Sequence, residues 1–248
     1  IRGRVLLPTT FINFDIGRKI SLNALDKTKE TNGLVFVATQ KNVADENPKA
    51  KDIFTIGAIC RVRQVVKPSS SQVVKVSVEV LNRAKIVNFI SEKDCFEVEV
   101  CDYPFVDGDE LMIASALRVA KTAFNEYTSN NPTLTKDMVA TLNEIEEPNR
   151  FIDNVLTLAM VKEGEKQRIL EITDTFSRLE NFATLMYNEN EIQKVQKQIE
   201  SRVRKNIDQG QKEYFLREQL KAIHTELGDD EDMKKDYIDT VKNKKLGE

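Results

Sequence analysis

V-K-V-S-V-E-V-L-N-R-A-K-I, residues Val74 to Ile86, is the stretch whose reading decides the fold. Val74, Val76, Val78 and Val80 alternate with Lys75, Ser77 and Glu79. A side-chain period of two puts the valines on one face of a strand and the polar residues on the other, the pattern of a half-buried antiparallel strand. Upstream, Lys67-Pro68-Ser69-Ser70-Ser71-Gln72 reads as a turn. Phe54 to Val66 is then the partner strand, and its Gly57 is expected to mark a bulge or bend that lets a small sheet curl. Downstream, Lys85 to Phe89 and Phe96 to Val100 read as two further alternating strands. Leu34 to Thr39 is a shorter β-rich run, followed by a loop around Asn47-Pro48. Val5-Leu6-Leu7 runs into Pro8, and Asp15 to Asn32 reads as a helix with Leu22 and Leu25 on one side, stopped by Asn32-Gly33. Short strands joined by loops, with one early helix, argue for a curled sheet or small open barrel over residues 1–106 rather than a parallel α/β sheet.

After Tyr103-Pro104 the period changes from 2 to 3.6. Asp107-Gly108-Asp109 can cap a helix whose Ile113, Ala116, Ala120, Phe124 and Tyr127 share a face, ended by Asn130-Asn131-Pro132. Leu134, Met138, Leu142 and Ile145 mark a shorter helix. Pro148 opens a third through Phe151, Ile152, Val155, Leu156 and Ala159, ended near Gly164. Glu165 to Ile172 is a fourth, and Thr173-Asp174 caps the helix that follows through Leu179, Phe182 and Met186. This is a compact helical subdomain over residues 107–187.

From about Asn188 to Gly228 no Pro interrupts the helical pattern, and Gly210 is the one interior Gly. Glu191 to Leu227 would rise about 55 Å, so part of this helix is expected to leave the domain body or to pack on another chain. Ile192, Val195, Ile199, Val203 and Ile207 step by 3, 4, 4 and 4, a stripe that drifts round the helix instead of keeping a strict heptad. Leu216, Leu220, Ile223 and Leu227 form a second seam, and Gly228 suits the left-handed cap that ends a helix. Residues 229–248, with D-D-E-D-M-K-K-D, read as a charged, flexible or weakly helical tail. The class is therefore α+β: sheet, helical bundle, one long helix.

Composition narrows the function. The chain has 248 residues, 40% hydrophobic and 31% charged, with no apolar run near the ~18 residues a membrane span needs and no secretory h-region at its start. Cys60, Cys95 and Cys101 contain no C-x-x-C pair, so neither a disulfide framework nor a zinc site is indicated, and buried reduced thiols are expected. A net charge of −3 gives no overall attraction to nucleic acid. The helix from Ile192 to Lys221 is locally basic, with eight basic residues against four acids, but the acids are interleaved, the pattern of a solvated helix face.

Catalytic chemistry is missing as well. No Gly of the nine is followed by Lys, so there is no G-x-x-x-x-G-K-S/T phosphate loop. His224, the single His, lies beside the second helical seam and reads as a surface or seam-flanking residue rather than a catalytic one. Asp229-Asp230 and Glu146-Glu147 are adjacent, solvated carboxylates. Binding is what remains. Leu7-Pro8-Thr9-Thr10-Phe11-Ile12-Asn13-Phe14 reads as a loop-like segment whose Leu7, Phe11, Ile12 and Phe14 are candidates for contact with an apolar partner; the competing reading buries the phenylalanines in the core.

Four segments resemble one family. Q-K-E-Y-F-L-R-E-Q-L-K-A-I-H-T-E-L-G (Gln211 to Gly228) is similar to the segment that leads into the ATPase module of Lon proteases, the ATP-dependent serine proteases of bacterial cytoplasm and mitochondria. R-G-R-V-L-L-P (Arg2 to Pro8), I-G-R-K-I-S-L-N-A-L (Ile16 to Leu25) and Val74 to Ile86 resemble its substrate-binding domain, a PUA-like β fold followed by a helical bundle. Val80 stands where that family usually has Gly, and the family's opening strand has no counterpart before Ile1. Nothing here matches the family's P-x-x-S-A-G-like segment with its Ser-Lys dyad. The resemblance implies a cytoplasmic region that binds unfolded or damaged polypeptides, residues 188–228 leading toward the family's own ATPase and protease modules, and hexamers in the complete enzyme. ATP and Mg belong to that ATPase module, so no cofactor or metal is expected in these residues. The alternatives are a PUA-like nucleic-acid-binding module, which needs a basic groove on the sheet, with weak DNA contact through the basic helix as a lesser form, and an oligomerisation arm alone.

Overall fold

The computed structural model describes residues 1–67, 73–131 and 133–226. The expected turn at Pro68 to Gln72, Pro132, the helix stop at Leu227-Gly228 and the tail 229–248 lie outside the described residues. The chain forms two compact units, Ile1–Ile192 and Gln193–Glu248.

The first unit begins with an antiparallel sheet of five strands: β1 (Phe11–Ile16), β2 (Leu34–Val37), β3 (Ile56–Val66), β4 (Val74–Ser91) and β5 (Glu97–Asp102). Their order is β1-β4-β3-β2, and β5 also pairs with β4. The 18-residue β4 is the organiser, pairing first with β1 and farther along with β5, while β3 follows it on the other side. The expected break between Val80 and Lys85 does not occur. Asn82 is the one turn-prone residue between Leu81 and Ala84 and it has no Gly or Pro beside it, while Arg83 and Ala84 are buried, and the strand continues through them.

Val74, Val76, Val78 and Val80 make the inner face with Ile12, Ala58 and Cys60, and Leu22 and Leu25 of helix α1 (Lys19–Lys27) pack against it. The helix expected over Asp15–Asn32 is thus shorter, because Asp15 and Ile16 finish β1. Thr28 to Gly33 close it, with Asn32 at φ 52° and Gly33 at φ 78°, and the Gly33 N–H donates to the Thr28 carbonyl. A cavity of about 330 Å³ remains beside α1, lined by Phe14, Ile16, Leu25, Val35, Val37 and Phe89 among others.

Gly57 plays a different part from the one its sequence suggests. Its pairing with Ala84 is regular, and the register shifts fall between Ile59 and Cys60 and between Val62 and Gln64. A Cβ at Gly57 would stand 2.4 Å from the Val37 carbonyl oxygen. Close approach of β2 to β3, not a bulge, is what demands glycine there.

Helices α2 (Glu110–Asn130), α3 (Lys136–Asn143), α4 (Pro148–Leu158) and α5 (Glu163–Glu171) then build a second core. Asp109 caps α2 by accepting from the Met112 N–H, Thr135 caps α3, and Glu147 caps α4 with Pro148 in its first turn. α4 ends at Leu158, short of the expected Gly164, and Gly164 sits inside α5. Phe124, Phe151 and Phe182 stack edge to face with centroids 5.8 and 5.6 Å apart. Each is fully buried, worth about 1.5–3 kcal/mol relative to exposure. The Tyr127 hydroxyl accepts from the Asn131 side chain and the Met160 N–H, which satisfies a buried polar tip.

Residues 5–7 join the two cores. Val5 and Leu7 belong to the helical cluster and Leu6 to the sheet cluster. A second joint is polar. The buried Arg83 guanidinium of β4 donates to the carbonyls of Tyr103, Pro104, Leu170 and Ile172 and lies 3.6 Å from the centre of the Phe105 ring. The Arg178 guanidinium lies 4.5 Å from the same ring centre, pairs with Asp153, and donates to the Asn149 and Ile169 carbonyls.

Helix α6 (Thr175–Glu226) starts under an Asp174 cap, and its residues up to Asn190 supply Leu179, Phe182, Ala183, Leu185 and Met186 to the helical core. In the second unit the described residues 193–226 are all helical, and those after Gln193 are exposed. No helix among the described residues is long and apolar enough to cross a membrane.

Candidate polypeptide-binding face of the sheet

The segment expected to be loop-like is a strand, because Phe11 to Ile16 pair residue by residue with Glu79 to Val74 of β4. In a strand, alternate residues face opposite ways. The four candidates therefore do not form one patch. Leu7 is fully buried in the helical core and Ile12 is buried on the inner face of the sheet, so neither is available to a client. Phe14, also on the inner face, is half-buried and lines the cavity beside α1. Phe11 alone points to the outer face, where it is 71% exposed.

The pairing of the strands sets its neighbours. Across the outer face Phe11 stands opposite Glu79, Glu79 opposite Arg61, and Arg61 opposite Leu34. The next rows run Asn13, Ser77, Gln64 and Asp15, Lys75, Val66. Leu34 is 36% and Val66 45% exposed, so three large apolar side chains lie among polar ones on this face. Arg63 pairs with Glu79, its Nε 2.9 Å from Oε2. A groove of about 640 Å³ crosses from β1 toward β3, lined by Arg2, Arg4 and Asn13, by Lys75 and Ser77 of β4 and by Gln64 of β3. The Arg4 guanidinium donates to the Asn13 carbonyl at 3.0 Å, and the Arg2 Nε donates to the Val43 carbonyl. Arg2, Arg4, Leu34 and Val66 were not among the sequence candidates; their gathering depends on strand pairing that no local pattern reveals, although Lys75 was legible as outward-facing from the alternation of β4.

Cys60 is buried, and burial pushes its thiol up to about 12, away from reactivity. Burial also raises Cys95, which Lys27 partly offsets. Cys101, expected to be buried, is exposed on β5. The described residues include no group of three or more His, Cys, Asp or Glu side chains placed to hold a metal ion. Phe11, Leu34 and Val66 can contact an apolar partner, and the cations around them can attract an anionic one.

Comparison with known proteins places the chain. The family model for the ATP-dependent protease La (LON) substrate-binding domain matches residues 1–188. The chain is 33% identical over 250 residues to the Lon protease of Clostridium acetobutylicum, covering 99% of this chain and 32% of that protein. To the Lon protease of Clostridioides difficile it is 36% identical over 239 residues, covering 94% of this chain and 30% of that protein. It thus spans about a third of the length of the curated relatives it matches. Among solved structures, the N terminal domain of Mycobacterium avium complex Lon protease superposes with a TM-score of 0.62 at 16% identity over 75% of this chain and 94% of that one, a likeness of fold. The match over residues 1–188 and the two long alignments lead to one conclusion: the chain belongs to the Lon protease family, with that family's substrate-binding domain at residues 1–188.

Proposed function

We propose that this chain captures exposed apolar segments of unfolded or damaged polypeptides on the outer face of its sheet and hands them to the ATPase and protease modules of a cytoplasmic, ATP-dependent serine protease. The observation that carries this reading is Phe11, 71% exposed on a paired strand of the face that also carries the exposed Leu34 and Val66. Burial is the usual fate of Phe, and apolar side chains held on a rigid solvent-facing sheet suit clients that share only exposed hydrophobic surface. On this reading the chain binds and does not catalyse; ATP and Mg act in the ATPase module.

The exposed stripe on α6 supports a second role, assembly. Ile192, Val195, Ile199, Val203 and Ile207 are each 49–54% exposed, along a helix whose described residues after Gln193 are all exposed. A coiled coil with other copies, on the way to a hexamer, would cover them.

The test is binding of the 248-residue chain to a permanently unfolded protein and to the same protein folded, with duplex DNA as a control. Preference for the unfolded form is expected, and Phe11→Ser should weaken it by about tenfold, the loss of one apolar anchor worth about 1.4 kcal/mol. Equal binding of both forms, or no effect of Phe11→Ser, would remove client capture from this face. DNA binding stronger than client binding would favour the nucleic-acid reading instead.

A further inference from the structure

We infer that the β1 edge of the sheet takes an extended client segment by strand addition, and that the cations along it select segments carrying carboxylates next to apolar residues. This rests on the client-capture reading and names the chemistry of the client.

The edge comes first. β1 is the last strand in the order β1-β4-β3-β2, so one side of it has no strand partner among the described residues. The Val80 N–H donates to the Thr10 carbonyl, and the Thr9 N–H to the Val80 carbonyl. Backbone groups alternate along a strand, so Ile12, Phe14 and Ile16 turn theirs toward β4. Phe11, Asn13 and Asp15 then turn their N–H and C=O groups away from it, as a template that an extended polypeptide satisfies and a nucleic acid does not. On this edge the Asn13 carbonyl already has a partner, the Arg4 guanidinium. A charged side chain of that kind keeps an open edge from pairing indiscriminately.

Charge comes second. Arg2, Arg4, Arg61, Arg63 and Lys75 face this groove and the outer sheet, against Asp15 and Glu79. Glu79 is taken by Arg63. Asp15 stands opposite Lys75 in register, yet no ion pair joins them, and Arg2, Arg4 and Arg61 are likewise without a carboxylate among the described residues. A local surplus of three positive charges sits on a chain whose net charge is −3. Such a surplus steers and orients an acidic partner, and it repels a basic one. The two features act together. A client carboxylate draws the Arg4 guanidinium off the Asn13 carbonyl, and the freed carbonyl accepts a client N–H. Phe11 then contacts the apolar residue beside that acid.

The test uses three fluorescently labelled peptides with the same apolar residues, flanked by Glu, Gln or Lys, and the 248-residue chain, read by anisotropy at low and moderate salt. The Glu peptide should bind about tenfold more tightly than the Gln peptide, with the Lys peptide weakest, and the gap should narrow with salt. Arg4→Glu and Lys75→Glu, both exposed and outside the cores, should invert the order. N-methylation of alternate residues in the Glu peptide should abolish its binding, because it removes the N–H groups the edge would accept. Equal affinities for all three peptides would overturn the charge selection while leaving client capture standing. N-methylation without effect would overturn strand addition. An oligonucleotide that displaces the Glu peptide at equal charge would assign the groove to nucleic acid. Failure of the chain to bind any unfolded protein would remove the proposed function itself, a result distinct from these.

Discussion

At the scale of single residues, the same side-chain type meets opposite fates within a few positions. Phe11 and Phe14 are three apart, an odd spacing, so a strand sends one outward and the other inward. Read as a loop, the segment offers no such division, so the sequence left both phenylalanines open to either fate and did not separate Phe14 from Phe11. The three cysteines show the same dependence on register. Cys60 is buried on the inner face of β3 and Cys95 is buried, whereas Cys101 is exposed on β5. Cys101 should therefore react with a disulfide reagent at neutral pH within seconds to minutes, and Cys60 only as fast as the sheet opens. Counting thiols with time, with and without denaturant, checks this: one fast thiol and two protected ones are expected, and three fast thiols would contradict the burial. The raised Cys60 value has a further consequence with a definite sign. An unfolded thiol releases its proton near 9, the folded one near 12. The preference for the protonated thiol is fully present below 9, and stability falls as pH rises from 9 toward 12. Cys60→Ala should flatten that alkaline decline in a urea titration.

At the scale of elements, the sheet and the bundle meet through Arg83. It caps the carbonyl end of α5, where a cation is favoured by the helix dipole, and it shares the Phe105 ring with Arg178. Burial and the neighbouring Arg178 hold the Arg83 guanidinium down at about 10, still charged at neutral pH. Burial pushes the Asp153 carboxyl up, and its ion pair with Arg178 opposes that. Arg83→Met keeps the aliphatic bulk and leaves the carbonyls of Tyr103, Pro104, Leu170 and Ile172 without their donor. It should cost about 2–4 kcal/mol, read as a lower urea midpoint by circular dichroism at 222 nm. A change under 0.5 kcal/mol would show that the joint is not sustained by this residue. The valine alternation of β4 and the spacing of Phe124, Phe151 and their neighbours made the strands and helices readable, because each is a local period. Arg83 was invisible as a joint, since its acceptors lie 20 to 89 positions away. Gly57 was visible as special and assigned the wrong reason, since the constraint comes from the Val37 carbonyl on another strand.

At the scale of the whole molecule, α6 carries a long stretch that the described residues do not bury. α6 has 52 residues, of which those after Gln193 are exposed to Glu226. Propensity alone does not secure such a stretch: helices in proteins owe most of their stability to tertiary packing of an apolar face, and Gly210 costs about 1 kcal/mol relative to Ala. The stripe from Ile192 to Ile207 advances by 3, 4, 4 and 4, which departs from a strict heptad toward an eleven-residue period, the geometry of nearly straight or right-handed packing. If other copies of the chain supply the missing face, helicity and assembly are one equilibrium. The signal at 222 nm should then rise with protein concentration, in step with the mass measured by sedimentation. Ile199→Glu with Val203→Glu should hold the chain monomeric and lower the helical signal, with the sheet and bundle intact as judged by protected Cys60. A wild-type chain that stays monomeric at high concentration with undiminished helicity would assign the stripe to a different partner. The remainder of a longer Lon protein is then the next candidate, because the matched relatives extend to about three times the length of this chain.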